Sequence, residues 1–217
     1  MKGDPIKARV LASRVISNVS DDLARQLKLK EDYRSIAIFT SDCDDVAYTA
    51  LDEATKKAAV EVVYARSFYA GAANASTRLA GEVIGILAAS SPEEVRSGLE
   101  AAVYTIENTA YFISANEDDS IVYYAHCVSR TGSYLSGAAG VPKGEALAYL
   151  IAPPLEAIYG IDEALKASDV NLCVLYEPPS ETNFGGALLT GTQSACKAAC
   201  EAFAAAVEAV ADRPMEQ

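Results

Sequence analysis

Hydrophobic and polar positions along this chain follow two periods, and each period predicts a different kind of element. Short runs of β-branched and aromatic residues predict strands, whereas apolar residues three or four positions apart predict helices. In the first half, strands are predicted at residues 9–17, 35–40, 60–69 and 81–88, with helices at 20–29, 52–58 and 91–106. The polar run 41–45 is interpreted as a loop that leaves the second strand.

The second half repeats the order of the first. Strands are predicted at residues 121–129, 146–152, 170–176 and 187–190, with helices at 134–139, 162–167 and 192–211. The polar segment 116–120 separates the two halves. Each half is therefore expected to be an α/β domain, α+β and sandwich-like, with about four strands and helices on one side.

Matching residues in the two halves indicate a duplication. The segment Asp-Glu-Ala-Thr-Lys at 52–56 returns as Asp-Glu-Ala-Leu-Lys at 162–166, which is 110 positions later. Residues 85–87 match 186–188 at an offset of 101, and residues 15–20 match 128–133 at an offset of 113. We therefore predict tandem domains at 1–112 and 113–217, which present two similar surfaces to neighbouring molecules.

Length and composition suit two domains. The chain has 217 residues, 51% of them hydrophobic, and a domain usually takes roughly 100–150 residues. No apolar run reaches the ~20 residues that cross a bilayer, and the first residues lack a secretory signal, so we expect a cytosolic protein with no membrane partner. Five cysteines without Cys-x-x-Cys spacing imply no disulfide framework.

The charge balance argues against a nucleic-acid partner. The chain carries 30 acidic and 18 basic residues, for a formal net charge of −12. Phosphate binding needs clustered lysine and arginine, and here these residues are scattered among acids. Cationic small molecules are better candidates for ligands.

Candidate catalytic chemistry is sparse. The chain has one histidine, His126, and its glycines follow neither a dinucleotide fingerprint nor a phosphate-binding loop. The acidic run 42–45 fails as a calcium loop because Val46 and Ala47 stand where a ligand and a glycine are needed. This run is either a solvated loop with helix-capping acids or a cation site. We expect no catalytic residue and no metal site, and hence no enzyme.

Two glycine-containing loops occupy corresponding places in the two halves, at residues 69–74 and 181–186. Both are consistent with plain hairpin turns. However, Tyr69 and Phe184 are large aromatic residues beside flexible glycines, and an exposed aromatic side chain on a loop often covers an opening. A gate is therefore the alternative interpretation.

Several long segments resemble one known family. The chain is similar over nearly its whole length to the L-type shell proteins of ethanolamine-utilization bacterial microcompartments. The segments that carry the resemblance are residues 44–46, 52–56, 60–64, 69–73, 128–135, 152–157 and 178–183. The resemblance implies two tandem, circularly permuted microcompartment domains. It also implies that three chains form a flat, pseudo-hexagonal tile, a homotrimer that packs against other shell proteins in a microcompartment shell in the cytoplasm.

The resemblance also implies two kinds of pore. A central pore would open and close by loop rearrangement, with Tyr69, Ala70, Gly71, Asn74, Asn183 and Phe184 as the central pore and gate residues. Ethanolamine would bind at a smaller pore formed by Asp44, Asp45, Glu82, Phe112, Thr182, Asn183 and Phe184. Carboxylates suit its ammonium group, Phe112 can offer a cation–π face, and binding is expected to be weak.

Two other hypotheses stay open at this point. In one, the chain is a soluble metal-binding protein or enzyme in which Asp44, Asp45, Glu82 and His126 surround a divalent ion. In the other, the pore weakly binds a bulky cofactor such as cobalamin, although no residue indicates a cobalamin contact. Otherwise we expect no cofactor.

Overall fold

The computed structural model describes residues 1–68, 77 and 79–215 of the chain. These residues form ten strands and six α-helices. The strands are β1 (Pro5–Lys7), β2 (Val10–Ile16), β3 (Ser35–Ser41), β4 (Glu61–Ser67), β5 (Val83–Ala89), β6 (Tyr111–Ser114), β7 (Val122–Val128), β8 (Ala146–Ala152), β9 (Val170–Tyr176) and β10 (Gly185–Gly191). The helices are α1 (Asp21–Gln26), α2 (Asp44–Lys57), α3 (Pro92–Tyr104), α4 (Ser133–Ala139), α5 (Pro154–Ala167) and α6 (Gln193–Asp212).

The chain forms two compact units. The amino-terminal unit contains Lys7–Ala110 together with the short segment Gly132–Leu135. The carboxy-terminal unit contains Met1–Ile6, Tyr111–Thr131 and Ser136–Gln217. These units are defined by packing, whereas the domain limits 1–112 and 113–217 remain a prediction about the repeated sequence.

The amino-terminal unit is built on a four-stranded antiparallel sheet in the order β2-β3-β5-β4. Helices α2 and α3 pack against each other and against this sheet. Close packing is visible at Gly85, where an added Cβ would lie 3.0 Å from a Leu51 methyl group of α2. A second apolar cluster joins Ile36 and Ile86 of the sheet to Ala24 of the short helix α1.

The carboxy-terminal unit has a six-stranded sheet in the order β1-β6-β7-β8-β10-β9. Helices α5 and α6 pack together, and their apolar residues share one core with alternate residues of β7, β8 and β10. Phe203 of α6 is fully buried in this core, and its ring lies so close to Gly160 of α5 that an added Cβ would be 2.7 Å away. The small residues of both helices therefore allow a close helix–helix approach.

The sheet orders confirm the duplication. The order β7-β8-β10-β9 repeats β2-β3-β5-β4 with the corresponding strands in the same places. Helices α2 and α5 both have 14 residues, and their starts are 110 positions apart, as in the sequence match. Helices α1 and α4 start 112 positions apart. The offset between the two repeats in this region is therefore 112 in the structure, one less than the offset of 113 given by the sequence match.

Two predicted helix starts were wrong, and two short strands were missed. Helix α2 begins at Asp44 rather than at residue 52, so the last two acids of the run 41–45 lie in the first turn of a helix, where the helix dipole favours carboxylates, and only Asp42 and Cys43 connect β3 to it. Helix α5 begins at Pro154 rather than at residue 162, and proline is well suited to a first turn. The short strands β1 and β6 were not predicted, because three or four residues carry too little pattern.

Within the described residues, no helix is long and apolar enough to cross a membrane.

Candidate functional site

An acidic cluster lies where β3 ends and α2 begins. Ser41 is the last residue of β3, and after Asp42 and Cys43 the chain enters α2 at Asp44. The side chains of Asp44 and Asp45 are both buried, which is unusual for aspartate. Their position in the first helical turn stabilises the ionised carboxylates, because the helix dipole places partial positive charge there.

Hydrogen bonds fix the orientation of Asp44. The Ser67 hydroxyl at the end of β4 donates to Asp44 Oδ2 over 2.8 Å. The backbone N–H of Asp45 donates to Asp44 Oδ1 over 2.9 Å. The carboxylate is therefore held between a strand end and a helix start, with both oxygens engaged.

Asp42 and Glu82 add two further carboxylates to the cluster. The Arg9 backbone N–H donates to Asp42 Oδ1 over 2.6 Å, and Arg9 Nε lies 3.3 Å from Asp42 Oδ2. Glu82 precedes β5, and its backbone N–H donates to the Ser41 carbonyl over 2.8 Å, which places Glu82 beside the end of β3. The cluster is therefore assembled from the ends of two neighbouring strands and the start of one helix.

The electrostatic field at this cluster is negative. Burial raises the pKa of Glu82, and the charges of Asp44 and Asp42 raise it further. Burial also raises the pKa of the Cys43 thiol well above its usual range, and the charges of Asp45, Asp44 and Asp42 act in the same direction. Both shifts mean that an additional negative charge is unfavourable here, so a cation would be favoured.

An aromatic cluster lies in the carboxy-terminal unit. Phe112 of β6 stacks on Tyr124 of β7 with ring centroids 5.2 Å apart, and its ring centroid is 6.2 Å from that of Phe184. Tyr124 in turn stacks on His126 at 5.4 Å and meets the edge of Tyr149 at the same distance. The lone histidine is therefore part of an aromatic stack on one strand.

Local hydrogen bonds organise the hairpin between β9 and β10. The Phe184 N–H donates to Thr182 Oγ1 over 3.0 Å, and the Ser180 N–H donates to the Phe184 carbonyl over 3.1 Å. Asn183, between them, is exposed. These two local hydrogen bonds stabilise the turn of the hairpin. The turn presents the polar side chain of Asn183 to solvent beside the aromatic ring of Phe184.

The predicted ethanolamine-binding residues divide between the two units. Asp44, Asp45 and Glu82 belong to the amino-terminal unit, whereas Phe112 and residues 182–184 belong to the carboxy-terminal unit. Within its own unit, the structure brings together Asp44 with Glu82, and Phe112 with Phe184. The predicted gate residues Tyr69, Ala70, Gly71 and Asn74 lie outside the described residues.

The structure gives no support to the metal hypothesis. In the part of the chain that the structure describes, no group of three or more histidine, cysteine, aspartate or glutamate side chains is placed to hold a metal ion. His126 is engaged with Tyr124 in the carboxy-terminal unit, whereas the acids lie in the amino-terminal unit.

Sequence reasoning missed the role of Asp52. This fully buried residue of α2 accepts two backbone N–H bonds, from Gly132 to Oδ2 over 2.7 Å and from Leu135 to Oδ1 over 2.8 Å. The Ser133 N–H donates to Thr55 Oγ1 over 3.0 Å. The partners are about 80 positions away in the chain, so no local pattern could reveal the contact.

Comparisons with known proteins point to one family. A family model described as BMC domain matches residues 35–117. Bacterial microcompartment shell protein EutL of Clostridium perfringens is 65% identical over 215 residues, and the match covers 99% of each chain. The protein of the same name from Salmonella typhimurium is 54% identical over 214 residues, which cover 99% of this chain and 98% of that protein. The crystal structure of ethanolamine utilization protein EutL from Leptotrichia buccalis has a TM-score of 0.97 and 68% identity, with both chains covered completely.

Proposed function

The chain belongs to the EutL family of bacterial microcompartment shell proteins, and from this premise we propose that three copies close into a flat, pseudo-hexagonal shell tile. Its relatives are named as shell proteins, so its role is structural rather than enzymatic. The observation that carries the tile proposal is the repeated sheet order, β2-β3-β5-β4 and β7-β8-β10-β9. Three chains with two similar units each supply six similar wedges to a closed ring.

The tile would pack edge to edge with other shell proteins. Sedimentation of the purified chain tests the ring, and electron microscopy of material assembled at moderate salt tests the lattice. We expect a particle with the mass of three chains and a threefold outline. A stable single chain at high protein concentration would contradict the tile.

We further propose that the acidic cluster at the start of α2 binds the ammonium group of ethanolamine. Support comes from the burial of Asp44 and Asp45 and from the raised pKa of Glu82, because both describe a site where negative charge accumulates. Neighbouring carboxylates repel one another, and charge-assisted hydrogen bonds from an ammonium group to these carboxylates would offset that repulsion. Phe112, Thr182, Asn183 and Phe184 remain predictions from the family resemblance.

Binding of ethanolamine is expected to be weak. The Asp44 oxygens already accept bonds from Ser67 and Asp45, so the ligand gains little beyond a screened ion pair. A dissociation constant of about 1 mM corresponds to roughly 4 kcal/mol, which suits a solute that passes through a small pore.

Calorimetric titration with ethanolamine tests this site. We expect Asp45→Asn combined with Glu82→Gln to abolish binding while the three-chain particle persists. The matched control combines Asp169→Asn with Glu201→Gln, two exposed acids of the carboxy-terminal unit, and should bind as the parent does. Undiminished binding by the first pair would place the ligand elsewhere.

We also propose that the hairpin around Asn183 and Phe184 takes part in a gated central pore, together with Tyr69, Ala70, Gly71 and Asn74. Support comes from the exposed polar tip of this hairpin and from the family resemblance. Gly185→Val tests the gate, because an added Cβ at Gly185 would lie 2.9 Å from the Pro178 ring and constrain the hairpin base. We expect the variant to favour one pore state in crystals, and equal pore states in variant and parent would refute the role of this hairpin.

No cofactor role is proposed beyond the weak cobalamin binding considered from the sequence. An absorbance titration with cobalamin tests that idea, and we expect at most weak binding.

A further inference from the structure

The Glu82 carboxylate stands in an unfavourable place for a negative charge. Burial and the charges of Asp44 and Asp42 raise the pKa of this carboxyl group. Glu82 is only half-buried, so repulsion between like charges would favour its movement away from the two aspartates into water. Contacts elsewhere in the chain are therefore needed to keep Glu82 at the acidic cluster.

The backbone of Glu82 is bonded on both sides. Its N–H donates to the Ser41 carbonyl over 2.8 Å, and its carbonyl accepts the Phe68 N–H over 2.6 Å. Ser41 is the last residue of β3 and Phe68 follows β4, so Glu82 continues β5 by one residue between its two neighbouring strands. The bond to Ser41 ties Glu82 to the residue that precedes the acidic run 42–45.

Gly81 makes the bond to Ser41 possible. Its φ of +64° lies in the left-handed region, which glycine adopts without the usual steric penalty. An added Cβ at this position would overlap the Ser41 carbonyl oxygen and lie 2.8 Å from a Leu11 methyl carbon. The same carbonyl oxygen accepts the Glu82 N–H. Any side chain at position 81 would therefore push the Glu82 backbone away from β3.

Thr40 holds the chain just before Gly81. The Thr40 hydroxyl donates to the Leu79 carbonyl over 2.7 Å. Thr40 and Ser41 are adjacent in β3, so one strand end binds the chain on both sides of Gly81. We refer to Thr40, Gly81 and the Ser41 carbonyl as the brace.

The second repeat starts its equivalent strand with different residues. The pairing of β5 with β3 and of β10 with β8 aligns the two strand starts. In this alignment, Asn183 and Phe184 occupy the places of Gly81 and Glu82. The Phe184 N–H donates to Thr182 Oγ1 within its own hairpin. A residue with a Cβ is thus accommodated where the first repeat has glycine.

Thr40 has no counterpart in the second repeat either. The equivalent position in β8 is Ile151, which carries no hydroxyl group. The repeated fold therefore forms without a brace, and the brace is a particular feature of the repeat that carries Glu82.

We infer that Thr40 and Gly81 are positioning residues that hold the Glu82 carboxylate beside Asp44, where one ammonium group can contact both acids. This inference rests on the proposed ethanolamine site and names residues outside the ligand contacts that assemble it. Without the brace, charge repulsion would move Glu82 away from Asp44, and the ligand would lose one charged contact.

Urea unfolding tests the position of Glu82 without any ligand. In the parent chain at neutral pH, Glu82→Gln should raise the urea midpoint, because ionised Glu82 is repelled by its neighbours. This gain should disappear when Gly81→Ala is also present, and should fall by at least about half with Thr40→Val. Thr40→Ser keeps the hydroxyl group and should preserve the gain. Circular dichroism checks that each variant is folded, and Thr40→Val, which adds no atoms to the strand, serves should Gly81→Ala fail to fold.

Two control variants in the carboxy-terminal unit match these changes. Gly140→Ala adds a side chain at another left-handed glycine, with φ of +66° and no atom within 4 Å of the added Cβ. Thr190→Val removes a hydroxyl group that donates to the Ala146 carbonyl over 3.0 Å. Either control can lower stability, yet both should leave the gain from Glu82→Gln unchanged. They separate the position of Glu82 from a general loss of stability.

Calorimetric titration with ethanolamine measures the consequence for binding. Thr40→Val should raise the dissociation constant about threefold to fivefold, the effect of one partly screened ion pair. Gly81→Ala should raise it at least as much. Thr40→Ser and the two control variants should bind as the parent does.

The outcomes separate this inference from the proposed site. A gain from Glu82→Gln that is absent in the parent, or equal in the parent and in both brace variants, would overturn the inference even if the parent binds ethanolamine. Unchanged ethanolamine binding by Thr40→Val and Gly81→Ala would also overturn it. A parent that binds no ethanolamine would instead refute the proposed site, while the urea measurements would still decide whether Thr40 and Gly81 position Glu82.

Discussion

The buried carboxylate of Asp52 is predicted to be a main support of the amino-terminal unit. Its side chain is fully buried and accepts the N–H groups of Gly132 and Leu135 over 2.7 and 2.8 Å, while Lys56 Nζ lies 3.5 Å away. Replacement by alanine removes both bonds and leaves two buried N–H groups without this acceptor. Asp52 thus connects a helix to a segment about 80 positions away.

The size of the effect follows from these contacts. A hydrogen bond to a charged group contributes about 1.5–3 kcal/mol, and neighbouring bonds are not fully additive. Asp52→Ala should therefore lower the free energy of unfolding of the amino-terminal unit by about 3–5 kcal/mol. Asp52→Asn keeps the shape and one acceptor oxygen, and should cost about half as much because its amide group faces an N–H donor.

Urea unfolding followed by circular dichroism measures the effect. The free energy of unfolding falls by about 1–3 kcal/mol for each molar increase in urea concentration. The urea concentration at the midpoint of unfolding should therefore be lower by about 1 M or more for the Asp52→Ala variant than for the parent. Asp169→Asn, an exposed acid, should stay within about 0.5 kcal/mol of the parent. If Asp52→Ala unfolds at the same urea concentration as this control, the bonds to Gly132 and Leu135 contribute nothing and the reasoning is wrong.

Three further predictions concern neighbouring features. Gly132→Ala should destabilise the protein by about 1–3 kcal/mol in the same urea assay, because its Cβ would lie 2.5 Å from a backbone oxygen. Because the pKa of Glu82 is raised in the folded state, its ionisation opposes folding. Glu82→Gln should therefore be more stable than the parent at neutral pH, and urea midpoints should converge below pH ~4, the unfolded pKa range of glutamate. Burial raises the pKa of Cys196 to about 11 and raises that of Cys200 further, so in a thiol-reagent assay at pH 8 both should react only after unfolding. Rapid native-state modification of either would contradict their burial.

The acidic run shows where a local pattern stops being informative. Residues 42–45 were interpreted as a loop or a cation site, and the structure shows that Asp44 and Asp45 begin a helix. Carboxylates suit both a solvated loop and a first helical turn, so residue types alone do not separate the two. The burial of these acids and the bond from Ser67 depend on β4, which lies beyond any local window.

The residues that surround the acidic cluster also show how little a local sequence pattern reveals about tertiary contacts. The resemblance to a known family supplied Asp44, Asp45 and Glu82, and the structure adds Asp42 and Ser67, which hold the cluster in place. Ser67 does not stand out in the sequence, because serine is common at strand ends, whereas Asp42 already belongs to the acidic run 42–45.

The sequence by itself determined the duplication and the shared order of strands and helices along the two halves, because hydrophobic periods and repeated segments can be read directly from the chain. Only the tertiary structure decided that two similar helices have different surroundings. Asp52 and Asp162 occupy equivalent positions in nearly identical segments, yet one is buried under Gly132–Leu135 and the other is exposed. That difference arises from contacts between residues far apart in the chain, which the pattern of neighbouring residues does not encode.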